Sequence, residues 1–155
     1  MELTIKGLKT MNGHDGLIFQ CSIYVNGRLR FVASNDGNGG CNLYDPIRPY
    51  AENREWMYKA EAWAKEQPEH TCNLGGKPFT YPCDLDCIIG DLIDAELDRR
   101  WLKGQCRTKT LFRLPDAKSN EWMVVKSPFS DAVKDWVVNN YPGAVIANET
   151  LRLGG

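Results

Sequence analysis

Apolar and polar residues alternate through the first part of the chain. Leu3 and Ile5 alternate with Glu2, Thr4 and Lys6, the pattern of a strand with one buried face. A turn cluster follows at Asn12-Gly13-His14-Asp15-Gly16. Leu17, Phe19, Cys21 and Ile23 then alternate with Ile18, Gln20, Ser22 and Tyr24. Asn26-Gly27 is a strong hairpin signal, and Leu29, Phe31 and Ala33 alternate beyond it with Arg28, Arg30 and Ser34. A two-residue loop would set Ile23 opposite Arg30. A three-residue loop, Val25-Asn26-Gly27, sets Ile23 opposite Leu29 and Cys21 opposite Phe31. Because side chains alternate with period two, only the odd loop keeps one face apolar. The expectation is a type I turn with a glycine bulge at Gly27.

The pattern then changes. Residues 52–66 carry Trp56, Ala60 and Trp63 at helical spacing. Residues 67–82 hold Pro68, Pro78, Pro82 and Gly75-Gly76, and read as a loop. The clearest helix starts after Asp84, a good N-cap, and carries Leu85, Ile88, Ile89, Leu92, Ile93, Leu97 and Trp101. Lys103-Gly104 supplies its basic last turn and stop. Residues 106–114 and 121–126 read as a hairpin. Ser130 caps a third helix that ends before Pro142, and Gly143 to Ala147 adds a short strand. Strands and helices fall in segregated runs, which predicts an α+β fold with an antiparallel N-terminal sheet. A chain of 155 residues fits a single domain, since domains run to about 100–200 residues.

Composition adds boundaries. The net charge of -1 draws the protein neither to nucleic acid nor to a membrane. No charged and then apolar leader opens the chain, and no apolar run reaches the roughly 18 residues that span a bilayer. The expected location is the cytoplasm, which the resemblance given below makes that of a host cell, and there the six cysteines would be reduced thiols.

The most pointed feature is the glycine-rich run Asn35-Asp36-Gly37-Asn38-Gly39-Gly40. Glycines free the backbone for positive φ and for close ligand approach, and successive amides can cradle an anion. Asn35, Asp36, Asn42 and Tyr44 add polar and flat side chains. The run is neither a P-loop nor a dinucleotide fingerprint, and a plain turn would need the same glycines. Candidate binding residues are therefore Asn35, Asp36, Gly37, Gly39, Gly40, Asn42 and Tyr44. A basic stretch of Arg99, Arg100, Lys103, Arg107, Lys109 and Arg113 surrounds Trp101. Arg100, Lys103, Arg107 and Lys109 suit a phosphate, although a solvated helix end has the same composition.

His70, Cys72, Cys83 and Cys87 offer one nitrogen and three sulfurs, a tetrahedral zinc set in principle. The spacing differs from Cys-x2-Cys fingers and from the zinc deaminases, so reduced thiols are the simpler expectation and no metal or cofactor is assigned. Asp84, Asp86, Asp91, Asp94 and Glu96 read as solvated carboxylates on the polar side of a helix. No Gly-x-Ser-x-Gly, His-Glu-x-x-His or Cys/His pair at family spacing points to an enzyme.

Two stretches carry a resemblance. Val25-Asn26-Gly27 with Ser34 to Gly40 and Tyr44 is one; Lys109 to Arg113 with Glu121-Trp122, Lys126 to Ser130 and Ala147-Asn148-Glu149 is the other. Together they resemble small proteins of bacteriophages and other mobile elements, and the Cys72, Cys83 and Cys87 set lies outside that pattern. The resemblance implies a non-enzymatic protein that binds and inhibits a host defence complex, as anti-CRISPR proteins do. The alternatives are a binder of a small nucleotide signal, built on the glycine-rich loop, and a nucleic-acid-binding module. The tail Leu151-Arg152-Leu153-Gly154-Gly155 resembles the end of ubiquitin, although a frayed terminus is its default reading.

Overall fold

In the computed structural model the structure describes residues 1–118 and 120–153; Leu74, Arg152 and Leu153 are described by their backbone alone. The chain is α+β, and packing divides it into two compact units, residues 1–94 and a second from Ala95 onward. The diglycine of the tail lies outside the described residues.

The first unit is built on an antiparallel meander of β1 (Leu3–Asn12), β2 (Leu17–Val25), β3 (Arg28–Asp36) and β4 (Leu43–Pro46), in that order across the sheet. The predicted three-residue loop is corrected. Val25 pairs with Arg28, so the loop is Asn26-Gly27, with φ of 49° and 76°. Positive φ at both positions makes the type I′ geometry that matches strand twist. The parity change comes later, as a bulge in β3. Tyr24 pairs with Leu29 but Ile23 pairs with Phe31 and Cys21 with Ala33. The apolar face survives, as the alternation requires, but Leu29 leaves it and Arg30 becomes the unpaired extra residue.

That bulge puts Arg30 inside, at 7% exposure, under α1 (Tyr50–Ala64). Its Nη1 donates to Glu52 Oε1 at 2.6 Å and to Asn53 Oδ1 at 3.0 Å, and its guanidinium lies 4.8 Å from the Trp56 ring centre. The amide of Asn53 in turn donates to the Ile47 carbonyl. Around this pairing, Ile23, Val25, Phe31, Ala33, Ala60 and Ala64 are fully buried. A second bulge, at Gly7 (φ 65°), slips β1 by one residue so that Leu8 turns inward.

Residues 67–82 contain a hairpin rather than a plain loop. β5 (His70–Leu74) and β6 (Lys77–Tyr81) pair antiparallel around Gly75-Gly76, whose φ values are 58° and 82°. The prolines do not prevent this, because a two-stranded ribbon has two edges and Pro78 needs no ladder donor on its outer side. α2 (Leu85–Gln105) starts where expected: Asp84 Oδ1 accepts the Cys87 N–H at 2.9 Å. Leu85, Ile89 and Ile93 are buried, whereas Trp101 at the far end of the apolar stripe is exposed.

In the second unit β7 (Thr110–Arg113) lies between β8 (Met123–Val125) and β9 (Val145–Ile146), all antiparallel. α3 (Asp131–Asn140) carries the predicted Ser130 cap, and α4 (Ala147–Leu153) closes the described chain. Phe112, Val137 and Ile146 form the core, with Phe129, Val133 and Tyr141 packed on it. Asn148 is buried and fully used: it accepts from Leu111 N and donates to the carbonyls of Cys106 and Lys109. No described helix is long and apolar enough to cross a membrane.

Candidate functional site

The glycine-rich segment begins inside β3, since Asn35 pairs with Phe19 and Asp36 with Ile18. Its turn is set by its own side chains. Asn35 Oδ1 accepts the Gly37 N–H at 2.8 Å, Asp36 Oδ1 accepts the Asn38 N–H at 3.1 Å, and Asn35 Nδ2 donates to the Gly40 carbonyl at 3.0 Å. The Asp15 N–H adds a bond to the Gly37 carbonyl at 2.8 Å. Gly37 is buried at φ 71°, and a Cβ there would stand 2.6 Å from Ile18 Cγ1. The loop is thus held in one shape. Two of its amides are already satisfied from within, which removes them from an anion cradle.

The loop borders a cleft of about 320 Å³. The cleft is lined by apolar Leu17, Phe19 and Ile93, by polar Asn35 and Asn42, by acidic Asp15 and Asp94, and by Gly39 and Gly40. Gly40 has room for a Cβ, with nothing within 4 Å. Asn42 and Tyr44, expected to contact a ligand, serve mainly to anchor the loop to α2. The Tyr44 hydroxyl donates to Asp86, the Asn42 N–H donates to Asp86 Oδ2 at 3.3 Å, and Asn42 Oδ1 accepts from Asn35 Nδ2. Burial first, and then the Asp86 hydrogen bond, push the Tyr44 phenol well above its ordinary range, so it remains a donor. The helix carboxylates read as solvated therefore include one anchor, Asp86, and one cleft residue, Asp94. Asp86 and Asp94 stand eight residues apart, about two turns of α2, and that shared helix face is the signal in the sequence; what it faces depends on the fold.

Of the four potential zinc ligands, three come together. One ligand atom each from His70, Cys83 and Cys87 lies within 4.8 Å of the others. Cys72 is outside that group. Burial raises the Cys83 and Cys87 thiols above their ordinary value, and His70 Nε2 lies 3.5 Å from Asp91 Oδ2.

The basic residues belong to the second unit. Arg99 and Arg100 both bind Glu96, at 2.7 Å each, and the Arg99 hydrogen bond above all holds the Glu96 carboxyl down to about 2. Lys109 donates to Gln105 Oε1, and Arg113 stacks on Trp122. Lys103 and Arg107 instead line a cleft of about 280 Å³ with Cys106, Pro128, Phe129 and Asn148. Comparison with protein-family models, curated proteins and solved structures finds no match for the chain.

Proposed function

We propose that this is a binding protein whose recognition element is the glycine loop and the cleft beside it in the first unit. Its partner is a protein that inserts a lysine or arginine side chain. The carrying observation is the pairing of an apolar floor (Leu17, Phe19, Ile93) with the carboxylates of Asp15 and Asp94. An apolar stem ending in a cation suits such a cleft, and a guanidinium can be bonded in two places by a carboxylate. The loop's internal bonds mean that little ordering cost falls on binding. The resemblance to phage and mobile-element proteins supports a host defence complex as the partner, with inhibition by occupancy.

The test is co-purification against a panel of bacterial defence effectors, with Asp94→Asn and Gly40→Ala alongside the native chain. Native binding that weakens about ten- to a hundredfold in Asp94→Asn supports the reading. Binding untouched by both changes places the interface elsewhere and removes it.

The cleft at Lys103 and Arg107 favours a second reading, a small anionic ligand such as a nucleotide signal, with Phe129 and Pro128 beside its apolar part. A thermal shift with nucleotides, lost in Arg107→Ala, is the expected result. Binding of long nucleic acid with a steep salt dependence would point instead to a nucleic-acid module.

A further inference from the structure

The geometry points to a zinc site at His70, Cys83 and Cys87, which ties the β5–β6 hairpin to the start of α2. His70 opens β5, Cys83 precedes the Asp84 cap, and Cys87 lies in the first turn of α2. Their ligand atoms are mutually within 4.8 Å. In a tetrahedral centre with Zn–S near 2.3 Å and Zn–N near 2.0 Å, ligand atoms stand roughly 3.3–3.8 Å apart, so side-chain adjustments of about an ångström close the set. Two thiolates and an imidazole favour zinc over the hard oxygen-seeking cations.

The surroundings fit independently. Asp91 Oδ2 lies 3.5 Å from His70 Nε2, which assigns Nδ1 to the metal and leaves the carboxylate to orient the imidazole from its other side. Asp84 fixes the Cys87 backbone by accepting its N–H, which holds the cysteine in place at the start of α2. A groove of about 350 Å³, bordered by His70, Tyr81, Cys87 and Asp91, gives solvent a path to the fourth position. We assign that position to water, because Cys72 stands outside the group.

The hairpin itself needs such a tie. Among its described side chains none is buried; Lys77 to Thr80 are all exposed, and Phe79 is 51% exposed. A two-stranded hairpin without a buried face is marginal in water. A metal joining its first residue to the following helix supplies what apolar burial does not, since metal binding is itself folding free energy.

The experiment is elemental analysis of the full chain purified under reducing conditions without chelator, followed by metal removal and titration with zinc and with cobalt(II). The expected result is one zinc per chain, lost in Cys83→Ser, Cys87→Ser and His70→Ala, and kept in Cys72→Ser and Cys106→Ser. Cobalt should give the visible spectrum of a tetrahedral site with thiolate charge transfer. Amide exchange across residues 70–81 should slow when zinc is added to the metal-free chain. The cobalt and exchange readouts use the native sequence, so a variant that fails to fold does not blunt them. A native chain that binds neither metal more tightly than the Cys83→Ser/Cys87→Ser double variant overturns the site. Isolation of a Cys83–Cys87 disulfide that persists under reducing conditions does so as well.

Discussion

Two hairpins of the first unit, β2–β3 and β5–β6, are held in opposite ways. β2–β3 buries Ile23, Val25, Phe31 and Ala33 almost completely, and Arg30 is sealed beneath α1. β5–β6 buries no described side chain. Both have glycine turns and antiparallel pairing, interrupted in β2–β3 by the bulge at Arg30. Hydrogen-bonded ladders therefore look alike in the two, while the free energy that holds each differs in kind. The first is held by burial, at roughly 25 cal/mol per Å² of apolar surface removed from water. The second has only its ladder and whatever joins its ends to the helix.

The largest expected effect breaks the first hairpin. Phe31→Ala should lower unfolding free energy by about 3–5 kcal/mol in urea denaturation, because Phe31 is fully buried and the cavity cannot close against a sheet and a helix. Gly37→Ala comes next, at about 2–4 kcal/mol, since positive φ and the Ile18 contact act together. Gly40→Ala should leave stability within about 0.5 kcal/mol and weaken partner binding, which separates the loop's shape from its recognition. If Gly40→Ala destabilises as much as Gly37→Ala, the whole segment is only a turn.

A pH experiment probes the same core. Burial pushes the Cys21 thiol from 9.0 up to about 11. The neutral thiol is the form the fold prefers, so this stabilisation is complete below pH 9 and is lost as the pH rises towards 11. The loss should be of the order of 2 kcal/mol, and Cys21→Ala should flatten the dependence. Smallest is the exposed counterpart of Phe31. Phe79→Ala in β6 should change stability by under about 0.5 kcal/mol. A larger loss would mean that Phe79 packs against something that the ladder alone does not provide.

Periodicity carried far where burial dominates. The apolar face of β2, the Asp84 and Ser130 caps, the buried stripe Leu85-Ile89-Ile93 and the strand after Gly143 are all legible, because each is a pattern local to its own segment. The Asn26-Gly27 turn was legible as a turn, but its length was not. The parity argument correctly required one extra residue. It had no means of choosing between a bulge in the loop and one at Arg30, since that choice depends on Glu52, Asn53 and Trp56 waiting on α1. The hairpin at residues 70–81 leaves no such mark, because prolines and paired glycines punctuate it and no apolar alternation marks a strand that buries none of its described side chains.

The site followed the same division. Glycines mark most of the positions where the backbone takes positive φ, among them Gly37, Gly39, Gly75 and Gly76, and residue chemistry by itself offers one nitrogen and three sulfurs as potential metal ligands. Tertiary structure decided that Asn42 and Tyr44 face Asp86, that Asp15 and Asp94 make the cleft acidic, and that His70, Cys83 and Cys87 converge while Cys72 does not. Local patterns report which conformations a segment tolerates and which face it must hide. Which distant side chains meet depends on how sheet, hairpin and helix close together, and that closure sets Asn42 in hydrogen-bond reach of Asp86, 44 residues on.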